Sequence, residues 1–150
     1  MITYRDERYC QCINEIVPLF TNHWKEIANH QGVIPLDPDF DKYQNVEDNN
    51  MLRIYTARDD GKLIGYFISF VSPHMHYKST IYALNDIMYI DPSYRGSTVG
   101  FRLIKGAMVD LKSNCGVDKL VIHMKVTHEF RKLLTKLGFC LEEENWGVLL

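Results

Sequence analysis

The run Arg95-Gly96-Ser97-Thr98-Val99-Gly100 brings a cation, two glycines and two hydroxyls together just ahead of an apolar pattern with helical spacing. The first amides of a helix have no partners within it and carry the positive end of its dipole. Glycines let a ligand come close to the main chain, which is how backbone loops hold phosphates. The residue types at 95–100 therefore suit an anion, although an Arg-Gly turn before a helix also serves as a plain turn and cap.

Asp86 interrupts a strand that is otherwise apolar, and the alternation predicts that it shares a face with Tyr82, Leu84, Met88 and Ile90. A carboxylate in that setting costs free energy unless it is paired or functional. Burial would raise its pKa toward the range of a useful base. Two readings stay open: a general base, or a hydrogen-bonded or ion-paired strand carboxylate. His123 is expected on the opposite face of its strand from Leu120, Ile122 and Met124, as a second base, a wall of an acceptor pocket, or a satisfied structural histidine. His74-x-His76 with Tyr77 offers two imidazoles at i and i+2 with no third ligand nearby, so no metal site is expected. That loop is read as an acceptor-binding or lid segment, or as plain surface.

These groups need a scaffold, and the order of elements supplies one. Ile2 to Arg5 reads as a first strand. Ile13, Ile16, Val17, Phe20, Trp24 and Ile27 recur at helical spacing from Tyr9 to about Ala28, with Trp24 expected in the core and Pro18 a candidate kink. A loop at 32–38 precedes a polar segment, 37–50, that carries a short helix. Leu52–Ala57 and Leu63–Val71 flank Asp59-Asp60-Gly61-Lys62, a strong hairpin signal. A loop at 72–79 leads to a strand over 80–90. A helix follows the glycine turn to about Lys112, then a strand over 120–124. A last helix striped by Phe130, Leu133, Leu134 and Leu137 ends at Gly138, and 139–150 reads as one or two closing strands. Three consecutive antiparallel strands followed by a β-α-β unit predict a single α+β domain over 1–150, around a mixed, mostly antiparallel sheet flanked by helices.

Composition narrows the classes. The chain has 150 residues, with 17 Lys and Arg against 19 Asp and Glu, for a net charge of −2. That balance argues against nucleic acid as a partner. No apolar run approaches the roughly 20 residues of a membrane span, and no apolar leader is visible at the N-terminus. Cys10, Cys12, Cys115 and Cys140 lack the spacing of a zinc site and read as reduced thiols, which predicts a cytoplasmic protein.

The segment from Asp86 through Pro92 and Arg95 to Gly100 resembles the signature of the GNAT family of N-acetyltransferases. There a strand ends in a Pro turn, and an (Arg/Gln)-x-x-Gly-x-(Gly/Ala) loop grips the diphosphate of coenzyme A. The element order is similar too, and Thr127 to Phe139, ending in Leu137-Gly138-Phe139, is similar to the family's second motif. The resemblance implies a GNAT-like acyl-CoA N-acyltransferase fold with acetyl-CoA as co-substrate. It implies acetyl transfer to a primary amine of a small molecule or protein, by direct attack in a ternary complex. The alternative is a non-catalytic CoA-binding or protein-interaction module on the same fold.

By that match, Met88, Tyr89 and Ile90 would lie along the pantetheine, with the amides of Tyr89 and Ile90 polarising the thioester carbonyl. Arg95, Gly96, Ser97, Thr98, Val99, Gly100 and Phe101 would surround the diphosphate. Thr127, Phe130 and Arg131 would reach other parts of the cofactor, with Arg131 and Lys132 toward the adenosine phosphate. Asp86 and His123 would be catalytic, and His74, His76 and Tyr77 would face the acceptor. The loop 73–78 is similar to members carried by tailed bacteriophages, and a C-terminal strand would offer a homodimer edge. Two positions depart from the pattern: Thr98 replaces the central loop glycine, and Leu134 replaces a tyrosine that in many members protonates the departing thiolate.

Overall fold

The computed structural model describes residues 1–127 and 130–150. The chain runs β1 (Ile2–Glu7), α1 (Tyr9–Ile27), α2 (Phe40–Asp48), β2 (Leu52–Asp59), β3 (Lys62–His74) and β4 (Tyr77–Ile90). A 3-10 turn at Pro92–Tyr94 then leads to α3 (Val99–Ser113), β5 (Lys119–Val121) and α4 (Arg131–Lys136). The strands form one sheet in the order β1-β2-β3-β4-β5, antiparallel throughout except for the parallel β4–β5 pair. This is the mixed α+β sheet that the element order predicts.

β2 and β3 are buried along nearly their whole length, on both faces. Strands of that kind need cover on each side. Cys12, Ile16 and Phe20 of α1 pack over Leu52, Ile54, Tyr66 and Ile68 on one face. On the other, Val99, Leu103, Ala107 and Leu111 of α3 pack over Tyr55, Ala57, Ile64 and Phe67. Each fully buried side chain of this size contributes about 1.5–3 kcal/mol. Asp60 and Gly61 both take positive φ, 45° and 88°, in the two-residue turn between β2 and β3, as the Asp-Gly pair predicts.

Buried charge ties β1, β2 and α1 together. The Arg58 side chain, 8% exposed, makes paired hydrogen bonds to Glu7 (2.8 and 2.9 Å) and to Glu15 (2.8 and 2.9 Å), and donates to the Gly61 carbonyl at 2.9 Å. Burial pushes the Glu7 carboxyl up, but its bonds to Arg58 outweigh this and hold it below its ordinary value.

Several boundaries differ from the sequence reading. α1 passes through Pro18 without dividing. Pro18 sits on the exposed side, where water can take the carbonyl that the ring leaves unpaired. The inward stripe of α1 is Tyr9, Cys12, Ile16, Phe20 and His23, so Trp24 is half-buried at its margin and not in the core. The expected loop at 72–79 is mostly ladder, with Pro73 opposite Ile81 and His74 opposite Tyr77.

The expected strand over 120–124 is only Lys119–Val121. Residues 139–150 form no strand, so they offer no strand edge to a second copy. Glu142-Glu143-Glu144, Asn145 and Gly147 break the apolar alternation that a strand would need. Trp146 stands 91% exposed.

Candidate active site

The end of β4 sets the geometry. Asp91 N–H donates to the Ile64 carbonyl at 2.8 Å, and Ile90 lies opposite Gly65. In an antiparallel ladder this makes Ile90–Gly65 a pair that does not exchange main-chain bonds, so the N–H and C=O of Ile90 point away from β3. The same alternation turns the main chain of Met88 outward and that of Tyr89 inward, toward Tyr66. The expected pair of polarising amides, Tyr89 and Ile90, is therefore split: Met88 and Ile90 present their main chains on the open flank. Gly65 permits the close approach, since a Cβ there would lie 2.6 Å from Ile90 Cδ1 and 3.0 Å from the Tyr89 carbonyl oxygen.

That flank is open because β5 leaves it. The parallel ladder joins only Tyr82, Ala83 and Leu84 to Lys119, Leu120 and Val121. Beyond this point the ladder ends and the edge of β4 forms one side of a cleft, with Met88 and Ile90 beside Gly100 in the first turn of α3.

The turn entering α3 is firmly held. Asp91 Oδ1 accepts from Ser93 N–H at 2.9 Å, and Tyr94 donates to Asp59 Oδ2 at 2.9 Å. Gly96 takes φ +79°, a conformation that needs glycine. Thr98 sits at φ −81°, ψ −1°, which any L-residue adopts, so threonine introduces no backbone strain at the position of the family glycine. The Ser97 hydroxyl donates to the Tyr94 carbonyl at 2.5 Å and accepts from Val99 N–H at 3.2 Å, so it satisfies the first amide of the helix from one residue ahead of the N-cap, Thr98. The first intrahelical bond runs from Arg102 N–H to the Thr98 carbonyl at 2.9 Å, leaving the amides of Gly100 and Phe101 ahead of the ladder. A Cβ on Gly100 would meet Leu133, Met88 and Ile90 side chains only at 3.5–3.8 Å.

Arg95 folds back from this turn. Its Nε donates to the Ile90 carbonyl at 2.8 Å, and its guanidinium pairs with Glu26 of α1 at 2.8 Å while lying 5.6 Å from the Tyr89 ring centre. Phe101 is half-buried, with Lys105 Nζ 5.8 Å from its ring centre.

A β-bulge decides where Asp86 points. Ile68 pairs with Ile87 and Ser69 with Asn85, so Asp86 is the extra residue of β4 and the alternation changes phase there. Ile81 and Ala83 before the bulge face α3, as do Met88 and Ile90 after it, while Ile87 and Tyr89 face α1. The expected shared face of Asp86, Met88 and Ile90 is thus corrected: Asp86 lies on the α1–α2 side, where Tyr43 of α2 donates its hydroxyl to Oδ2. Tyr43 is sandwiched between Tyr9 (6.1 Å, 8° between planes) and Phe70 (6.2 Å). Burial pushes the Asp86 carboxyl above its ordinary value, and the Tyr43 bond and the nearby His123 pull it partly back. Burial, then Asp86, push the Tyr43 phenol far above its usual range.

His123 follows β5, is exposed, and gives its main-chain N–H to Asn85 Oδ1 at 2.6 Å. His74, His76 and Tyr77 gather at the tip of the β3–β4 hairpin. The His74 ring lies 4.9 Å from Tyr77 and 4.5 Å from Tyr82, and its Nδ1 accepts from His76 N–H at 3.2 Å. Leu134 is buried in α4, with Phe130 at the cap and Arg131 opening the helix, while Thr127 is exposed. His128 lies outside the described residues. Among the described residues no group of three or more His, Cys, Asp or Glu could hold a metal ion, and no helix is long and apolar enough to cross a membrane.

Tyr43, Asn85, Glu26 and Gly65 escape the sequence reading. Only Asn85 leaves a trace there, as a second polar residue beside Asp86 in an apolar strand.

The mixed sheet with helices on both faces, a parallel β4–β5 pair that parts beside a helix N-terminus, and a glycine turn between them define the acyl-CoA N-acyltransferase fold. Residues 14–139 match the model of the acetyltransferase (GNAT) family, and the chain belongs to that family. No curated protein sequence matches the chain.

Among solved structures, a ribosomal-protein-alanine N-acetyltransferase from Brucella melitensis biovar Abortus 2308 superposes with a TM-score of 0.74 at 17% identity, covering 100% of this chain and 99% of that one. A predicted acetyltransferase from Clostridium acetobutylicum, solved with acetyl-CoA, gives 0.73 at 18% identity, covering 100% and 96%. A transcriptional regulator from Bacillus halodurans C-125 gives 0.78 at 14% identity, covering 100% of both chains. At these identities the likeness carries the fold.

Proposed function

We propose that the protein transfers the acetyl group of acetyl-CoA to a primary amine of a small molecule or protein, by direct attack in a ternary complex. The observation that carries this reading is one strand edge: past Leu84, where β5 stops pairing, β4 runs from the half-buried Asp86 to the turn that enters α3. In this reading the diphosphate lies over Gly96, Ser97, Thr98, Val99, Gly100 and Phe101, held by main-chain amides and the positive end of α3. Pantetheine runs along the outward main chain of Met88 and Ile90, with the Tyr89 side chain buried beneath. Thr127, Phe130 and Arg131 border the far end of the cofactor.

The chemistry needs a neutral amine, a polarised thioester and a tolerable leaving group. Asp86, with a raised pKa, takes a proton from the acceptor ammonium to free the lone pair that then attacks, with His123 the second candidate for this role. Solvent takes the second proton that the nitrogen sheds as the amide forms. An outward amide of β4 stabilises the oxyanion. Collapse breaks the C–S bond, and the thiolate, with a parent pKa of roughly 8.5, leaves and is protonated by solvent. Leu134 cannot supply a proton. The hairpin tip with His74, His76 and Tyr77 borders the acceptor side, because Tyr82 and Leu84 lie on the face opposite Ala83, the face of Asp86. Solved relatives named for acetylating a ribosomal protein alanine and an aminoglycoside support an amine acceptor without choosing between them. Four free cysteines support a cytoplasmic setting.

Thermal denaturation with acetyl-CoA, CoA and ATP, followed by thiol release with a panel of amines, tests the proposal. Stabilisation by both CoA species and turnover with an amine are expected. Stabilisation without turnover would favour the CoA-binding module, a reading that the buried Leu134 supports. No stabilisation by either CoA species would overturn both.

A further inference from the structure

The β4–β5 ladder ends at Leu84 and Val121. One residue later the Asn85 carboxamide reaches across, and its Oδ1 accepts the main-chain N–H of His123 at 2.6 Å from a side chain only 4% exposed. In a regular ladder a main-chain carbonyl would take such an N–H, at the usual strand spacing of about 4.8 Å. A side chain has taken its place, so β5 is held further from β4 and still loses no hydrogen bond. The next residue, Asp86, is the extra residue of the bulge. Asn85 therefore joins the segment bearing His123 to the segment bearing Asp86, at the apex of the cleft.

We propose that Asn85 is a positioning residue for acetyl transfer. Its carboxamide wedges β4 and β5 apart by a fixed amount, fixes His123 relative to Asp86, and so places the thioester against the acceptor amine. The inference rests on the acetyl-transfer reading for its catalytic consequence, while the wedge itself is a property of the free protein. The residue type follows from the task. Leucine would leave the His123 N–H without its acceptor, at a cost of about 1–3 kcal/mol. Aspartate would accept the bond but set a second anion beside Asp86. Glutamine would accept it from one methylene further out and open the cleft by about 1 Å, a misplacement that costs about 10²-fold in rate.

Amide hydrogen exchange at His123 in the full chain, followed by NMR, tests the wedge without substrates. Asn85→Ala is expected to speed exchange at His123 by about tenfold or more relative to Leu120, and Asn85→Asp to leave it near the parent rate. Steady-state kinetics test the consequence. Asn85→Ala and Asn85→Gln are expected to lower kcat by about 10²-fold and to raise KM for acetyl-CoA. Asn85→Asp is expected to restore that KM while moving the acid limb of the pH profile upward, through like-charge repulsion with Asp86. If Asn85→Ala does not fold, Asn85→Leu, which keeps the volume and removes the acceptor, carries the exchange test, with unchanged exchange again overturning the wedge. The comparison of Asp with Gln then carries the kinetic one. Unchanged exchange at His123 in Asn85→Ala would overturn the wedge. A lowered melting temperature with unchanged kcat and KM would reduce Asn85 to a stabilising residue. A parent protein that ignores acetyl-CoA would remove the acetyl-transfer reading, and the exchange result would still decide the wedge.

Discussion

Tyr43, from a nine-residue helix, donates its hydroxyl to Asp86 at the bulge of β4, and this single bond joins α2 to the strand that carries the candidate base. The bond favours the charged carboxylate while burial opposes it. Asp86→Asn is expected to lower kcat by about 10²-fold with little change in acetyl-CoA affinity. Unchanged turnover would remove Asp86 as the base.

The pH dependence has a defined sign. Asp86 must be deprotonated to act, so kcat/KM should rise through a pKa above the ordinary 3.8. Tyr43→Phe removes a bond that lowers this pKa, so the acid limb should move to higher pH. Stability runs the other way: a raised folded-state pKa contributes stability below the unfolded value, lost as pH rises through the folded one. Asp86→Asn should therefore melt higher than the parent at pH 7, with the gain vanishing toward the ordinary carboxylate pKa.

In the proposed reading Glu26 competes with a phosphate for Arg95. The guanidinium is held 2.8 Å from Glu26 in the free protein, so a diphosphate that takes Arg95 must draw it away. Glu26→Gln is expected to tighten CoA binding about threefold by calorimetry, with a steeper loss of affinity in salt. Unchanged affinity would mean that Arg95 stays on α1 when CoA binds.

Thr98 is at ease in its turn. Because its φ is −81°, glycine there relieves nothing and adds freedom to the unfolded chain. Thr98→Gly is expected to cost about 0.5–1 kcal/mol in denaturant titration, with CoA affinity within about threefold of the parent. A large gain in affinity would show that the threonine side chain obstructs the phosphate.

The Glu7–Arg58–Glu15 cluster should dominate acid and mutational sensitivity. Arg58→Ala leaves buried charge unpaired and is expected to cost about 3–5 kcal/mol. The depressed pKa of Glu7 contributes stability above its unfolded value of 4.5, and that stability falls away as pH drops through the folded value. A melting-temperature series from pH 7 to 3 should show this loss in the parent and a shallower one in Glu7→Gln.

The order of the elements, the inward stripe of α3 and the Asp60-Gly61 turn could be read in advance because local periodicity and turn chemistry fix them. The turn at 95–100 was equally legible, since its glycines and its place between strand and helix lie within one segment. What escaped depends on distant partners. Tyr43 and Asp86 are 43 positions apart, and nothing in α2 marks Tyr43 as different from any aromatic on a helical face. The bulge hides for another reason: period-two alternation has no symbol for an inserted residue, so Asp86, Met88 and Ile90 appear to share a face. The closing strands fail because apolar residues at 146–150 are not enough without a partner edge.

The bulge also sets what the position can accept through evolution. A change of residue type at 86 alters one carboxylate and leaves the backbone path alone. A deletion there would close the bulge: Asn85 and Ile87 would become neighbours opposite Ser69 and Ile68, and Met88 and Ile90 would still face α3 while Ile87 and Tyr89 faced α1. The bulge is therefore a place where the strand can gain or lose one residue while both packed layers are kept, so a gap there would cost the carboxylate and not the core.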